Sequence, residues 1–203
     1  PVQQNQDIKG FSLLELLVVV VIISVISAVG YPRFQDWKND REVRLAAENI
    51  VSMINGIVSQ SKRGSFPYVQ LYIDVPNSDG SGDKTFETRG MSQKKFIQER
   101  AALGCSDTAS DWDKEKVHFY KADVLLNIIS DGKVCFSKDS TFYETDNNLK
   151  TNSIVLCQKS GKQAIKCGAK PIMPAYKVIW NRFGGTTLKK WSGDENSGQW
   201  TDQ

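Results

Sequence analysis

Residues 11–30 read FSLLELLVVVVIISVISAVG, twenty residues with a single charge, at Glu15. An α-helix rises 1.5 Å per residue, so this run is ~30 Å long, the thickness of a bilayer's hydrocarbon core. Ten residues precede it, PVQQNQDIKG, a mostly polar stretch ending in Lys9-Gly10. A secretory signal is cut after its apolar stretch, beside small residues. Here the chain continues as Tyr31-Pro32-Arg33-Phe34 without such a site, so the apolar segment is expected to remain and anchor the protein. Mean hydropathy is −0.37, which fits one local membrane segment on an otherwise soluble chain.

Glu15 needs a partner. A carboxylate in a lipid-facing helix costs ~2.5–3.5 kcal/mol near the bilayer centre and less near an interface. If the chain is cut between Gly10 and Phe11, the new α-amino group of Phe11 is a cation at the same depth. In a staggered bundle, Glu15 of one subunit then meets the Phe11 ammonium of its neighbour. That pair neutralises both charges and sets the axial register.

Beyond the apolar run the helical period continues but turns amphipathic. Val43, Ala47, Ile50, Ile54 and Ile57 are spaced 4, 3, 4 and 3, one face of a helix, with Asp40, Arg41, Glu42, Arg44 and Glu48 on the flanks. The element is expected from Phe11 to about Ser61, ~75 Å if continuous. Pro32 lacks an N–H and clashes with the carbonyl four residues back, so a kink is expected between Ala28 and Pro32.

After Lys62-Arg63-Gly64 the pattern changes to strands. The candidates are Tyr68–Asp74, Val117–Lys121, Val124–Ile129, Val134–Ser137, Ser153–Gln158, Ala175–Trp180 and Thr187–Trp191. Residues 75–83, VPNSDGSGD, read as a loop, and Asp131-Gly132 as a tight hairpin turn. Residues 192–203 are expected to be a surface or frayed tail. One long helix with several short strands predicts an α+β fold, the helix packed on an antiparallel β-sheet head.

Cys105, Cys135, Cys157 and Cys167 lack the paired spacing of a zinc site. Four cysteines permit three pairings. The favoured one joins Cys157 to Cys167, closing a short polar loop, and Cys105 to Cys135. Such bridges belong to an oxidising compartment. Basic residues follow the span (Arg33, Lys38, Arg41, Arg44), which by charge bias alone would keep the head in the cytoplasm. The cysteines argue for the opposite side.

Little points to catalysis or cofactors. The single histidine, His118, has no nucleophile and orienting acid in an evident set, and no phosphate loop is present. Asp74, Asn77, Asp79, Asp83 and Glu87 invite a calcium reading, but around Asp79-Gly80 the first and last ligand positions fall on Val75 and Phe86. No metal and no cofactor are expected. A net charge of +3 is too small by itself to indicate nucleic acid.

Lys9-Gly10-Phe11-Ser12-Leu13-Leu14-Glu15-Leu16-Leu17 resembles the processing site of type IV pilins and pseudopilins. The resemblance implies a leader of residues 1–10, cleavage between Gly10 and Phe11 by a prepilin peptidase, and N-methylation of Phe11. It gives Glu15 and Pro32 roles in assembly. It implies residues 11–31 as the transmembrane and filament-core helix, 32–62 as its amphipathic continuation and 63–203 as the globular head. The head, through DGKVCFSKD at 131–139, SIVLC at 153–157, YKVIW at 176–180 and Gly184-Gly185, is most similar to the GspH/FimT class of minor pilins. REVRLAA at 41–47 also resembles that class. The implied partners are other pilin subunits, the peptidase and an inner-membrane assembly platform. The implied location is the inner membrane with the head in the periplasm, then a pilus or pseudopilus. The alternatives are a DNA-binding minor pilin for uptake, contacting through Arg182, Lys189 and Lys190, or a minor pseudopilin of type II secretion. The arginines expected after the last glycine are absent, since that place reads Gly185-Thr186-Thr187-Leu188.

Overall fold

The computed structural model describes residues 11–77, 82–99, 104–105, 112–159, 166–168, 173–193 and 197–203. Residues 1–10, with Lys9, Gly10 and the expected leader, lie outside the described residues, as does Asp79-Gly80. The chain divides into two compact units, one ending at Lys38 and the other running from Asn39 to Gln203.

Helix α1 spans Leu13–Arg63. It breaks over residues 29–32, where Gly30 and Pro32 stand and where the sequence predicts a kink. The apolar piece before the break, Leu13–Ala28, is thus shorter than the twenty-residue run. No single helix among the described residues is long and apolar enough to cross a membrane. Leu13–Ala28 and Arg33–Arg63 meet that test only as a pair, by length and composition. At the other end, Gly64 adopts a left-handed φ of 86°. Its N–H donates to Ser61 O at 3.0 Å, and Ser65 N–H donates to Gln60 O at 3.1 Å. This Schellman closure stops the helix and turns the chain into the head.

The head contains two antiparallel sheets. The first has the order β3-β2-β1-β5-β6, with β1 Tyr68–Asp74, β2 Lys84–Met91, β3 Asp113–Ala122, β5 Gly132–Ser137 and β6 Glu144–Thr145. The second has the order β10-β9-β8-β7-β4, with β4 Leu125–Leu126, β7 Ser153–Cys157, β8 Ala175–Trp180, β9 Thr186–Ser192 and β10 Gln199–Asp202. A short helix α2, Gln93–Glu99, follows β2. The result is an α+β arrangement, consistent with the fold that the N-terminal resemblance implies.

One core joins these elements. Val43, Ala47, Ile50, Ile54 and Ile57 are all buried, joined by Ala46, Met53 and Val58 on the same helix. From the first sheet Val69, Leu71 and Ile73 of β1 alternate inward with Phe86 and Phe136; from the second come Ile154, Leu156, Tyr176, Val178 and Trp180. Each such side chain contributes about 1.5–3 kcal/mol through burial. The opposite face of β1 is covered too. Tyr68 stacks on Trp112 with ring centroids 5.4 Å apart, beside Met91 and the Cys105–Cys135 pair.

Several expectations change. The stretch expected as a strand at Val124–Ile129 forms only two bridging residues, β4. The reason is Asn127: its N–H donates to Val155 O, and its Oδ1 accepts Val155 N–H, which ends the regular ladder. Asp131-Gly132 does not close a hairpin, because β4 and β5 belong to different sheets. Asp131 instead accepts bonds from Tyr72 Oη–H and Val75 N–H, tying the crossover to the end of β1. β2 lies in a stretch given no strand above. The C-terminal tail is not frayed throughout, since β10 pairs with β9 and Trp200 packs edge-on against Trp191.

Candidate functional site

Helix α1 begins with a reciprocal cap. Ser12 Oγ accepts Glu15 N–H at 3.2 Å, while Glu15 Oε2 accepts Ser12 N–H at 3.0 Å and the Ser12 hydroxyl at 3.1 Å. This is a capping box, Ser at the N-cap and Glu at the third helical position, satisfying donors that a helix start leaves open. Ser12 is not among the residues that hydropathy and charge single out. Its signal was present as Ser-x-x-Glu before an apolar run. Glu15 therefore has a local hydrogen-bond partner within its own chain.

Every described side chain from Phe11 to Ala28 is exposed, the large apolar ones from Leu13 to Ile26 by 46–84%. A helix apolar on all sides needs lipid or other helices around it. Tyr31, Phe34 and Trp37 follow, also exposed, the residue types that collect at membrane–water interfaces.

Residues 5–31 match the family described as "Prokaryotic N-terminal methylation motif". The chain is similar to two curated proteins from Pseudomonas aeruginosa, each called "Fimbrial protein". One is 29% identical over 48% of this chain and 70% of the relative. The other is 31% identical over 36% of this chain and 54% of the relative. "Fimbrial protein EcpB" of Eikenella corrodens is 28% identical over 42% of this chain and 52% of the relative. The chain is type IV pilin-like. The match spans about half the length of two of these fimbrial relatives. No solved structure matches.

In this pilin-like chain the four cysteines form two disulfides, Cys105–Cys135 and Cys157–Cys167, the pairing favoured from the sequence. The first lies beneath β1, where Gln70 Nε2–H donates to Cys105 O at 2.9 Å. The second pins a loop beside β4, where Cys167 N–H donates to Leu126 O at 2.8 Å.

Arg182, Lys189 and Lys190 are each engaged separately. Arg182 Nη2–H donates to Ser140 O at 2.8 Å, and its guanidinium lies 5.5 Å from the Phe183 ring centroid. Lys189 pairs with Asp202 at 3.0 Å. Lys190 pairs with Asp40 at 2.8 Å. Tyr176 Oη–H reaches the same Asp40 at 3.1 Å, so β8 and β9 are both tied to the helix there. The hydrogen bond to Asp40 raises the Lys190 pKa, whereas burial, above all, raises that of Tyr176. Successive strand residues face opposite sides, so Lys189 and Lys190 do not share a face. His118 sits exposed on β3, its backbone N–H donating to Thr88 Oγ1 at 2.8 Å.

Proposed function

We propose that the chain is a minor pilin of the GspH/FimT class, a structural subunit rather than an enzyme. A prepilin peptidase cuts between Gly10 and Phe11 and methylates Phe11. The subunit waits in the inner membrane with its head in the periplasm, and an assembly platform transfers it into a pilus. Residues 11–31 form the filament-core helix, 32–62 its continuation and 63–203 the head. The break near Pro32 lets the helix adjust between lipid and bundle.

One observation carries this reading: an exposed apolar helix that opens on a carboxylate within the methylation motif. While residue 11 is joined to the leader its nitrogen is an amide, and the Ser12 cap supplies Glu15 with donors. After cleavage the ammonium of a neighbouring Phe11 supplies a charge, a stronger partner for a carboxylate than neutral donors. The disulfides suit a periplasmic head.

The test replaces Glu15 with Leu in the native host. The expected result is a processed, membrane-held subunit missing from sheared filaments. Ser12→Ala, which removes the cap but keeps the carboxylate, retains incorporation. Glu15→Leu filaments carrying the subunit at wild-type level would defeat the reading. DNA capture through Arg182, Lys189 and Lys190 has less support, because the three cations are held by separate partners. No observation favours the secretion role over the pilus.

A further inference from the structure

On the second sheet, away from its α1-facing side, lies a pit of about 380 Å³ lined by Asn127, Lys166, Cys167, Gly168, Lys177 and Trp200, with Val155 also contributing. Two parts of its wall are tied to the sheet. The Cys157–Cys167 disulfide and the Cys167 N–H to Leu126 O bond hold one side. Trp200 is braced edge-on against Trp191, their ring centroids 5.2 Å apart. Gly198 passes close to the other side of the pair, where a Cβ would lie 2.3 Å from Trp191 Nε1. Asn127 Oδ1 is occupied by Val155 N–H, which leaves its amide NH₂ as a donor.

The charges are out of balance. Lys177 lies directly across the ladder from Lys189, a like-charge pair that is unfavourable in a sheet. Asp202 neutralises Lys189 alone. Among the described residues neither Lys177 nor Lys166 has a carboxylate partner. The Lys177 ammonium instead sits 5.9 Å from the centroid of the Trp200 ring. Two ammonium groups without a carboxylate partner among the described residues, an amide donor and an indole thus line one pit of about 380 Å³.

We propose that this pit binds an acidic saccharide unit, the sugar's C–H face against Trp200 and its carboxylate between Lys166 and Lys177. A rigid aromatic wall with a few convergent polar groups is the usual make-up of a small-ligand site. A nucleic-acid strand would need a cationic track along its backbone, and the neighbouring cation, Lys189, is already taken by Asp202. The assignment does not rest on the filament role.

The test uses the full chain in nanodiscs, titrated calorimetrically with trigalacturonate, neutral galactotriose, sodium sulfate and an oligothymidylate. Trigalacturonate is expected to bind saturably and galactotriose and sulfate much more weakly. Lys177→Gln should weaken trigalacturonate binding by about tenfold, the scale of one charge-assisted hydrogen bond. Lys166→Gln should act in the same direction, and Lys150→Gln, elsewhere on the head, should have no effect. Circular dichroism checks that each variant is folded. Equal binding of galactotriose, sulfate binding as tight as trigalacturonate, tighter binding of the oligothymidylate, or unchanged affinity in folded Lys177→Gln would each overturn the proposal.

Discussion

Gly184 and Val58 offer a sharp test of how the helix meets the last strands of the head. Gly184 has φ +80°, and a Cβ added there would lie 2.5 and 2.6 Å from the two γ-carbons of Val58. Gly184→Ala therefore carries two costs. The left-handed backbone contributes roughly 1–2 kcal/mol for a residue with a Cβ, and overpacking against the helix contributes about 1–3 kcal/mol. The sum, ~2–5 kcal/mol, lowers Tm on the order of 10 °C for a unit of this size. Val58→Ala alone costs about 1–3 kcal/mol as a core truncation. Together the two should cost less than their sum, by about 1 kcal/mol or more, because the nearest Val58 atom then becomes its Cβ, 2.9 Å away. The backbone cost remains. Urea unfolding of the full chain in mild detergent, followed by tryptophan fluorescence, measures all four corners of the cycle. Costs additive within ~0.5 kcal/mol would refute the contact between this turn and α1.

The two disulfides close loops of separation 30 and 10. Chain entropy assigns about 3.6 kcal/mol to Cys105–Cys135 and about 2.7 kcal/mol to Cys157–Cys167. Serine pairs replacing each should show the first as costlier by about 1 kcal/mol in the same urea assay. Asp139 is held at about 2, below its ordinary 3.8, first by the Thr141 hydroxyl and then by that of Ser137. A folded-state value below the unfolded one means that the carboxylate stabilises the fold above about pH 4. That contribution fades as the pH falls from about 4 to 2. Asp139→Asn should thus be less stable than the parent at pH 6, with the gap closing towards pH 2, as thermal melts across that range would show.

The sequence reveals most where one physical demand dominates. The apolar run and the stripe from Val43 to Ile57 follow from the helical period. Ala175–Trp180 is a strand with the expected ends because its inward residues are large and apolar. β2 is harder to read. Lys84, Glu87 and Arg89 interrupt it, although Phe86, Thr88 and Gly90 alternate between them. Lys84 is nonetheless buried, its Nζ–H donating to Gly82 O at 2.9 Å. β10 carries one large anchor, Trp200, whose partner Trp191 lies across the ladder. Asp131-Gly132 has the composition of a hairpin turn, but the distant groups of Tyr72 and Val75 claim Asp131. At the helix start, hydropathy treats Ser12 as a mere interruption, and only its spacing from Glu15 shows the cap. The pit at Lys177 and Trp200 assembles residues from three strands, the turn after β4 and a disulfide loop, which no local pattern brings together.

The most direct test of the subunit's proposed processing is the mass of mature protein from its native host, with fragmentation of its N-terminal peptide. The expected peptide begins at an N-methylated Phe11. A protein from peptidase-bearing cells that still carries residues 1–10 would contradict the account.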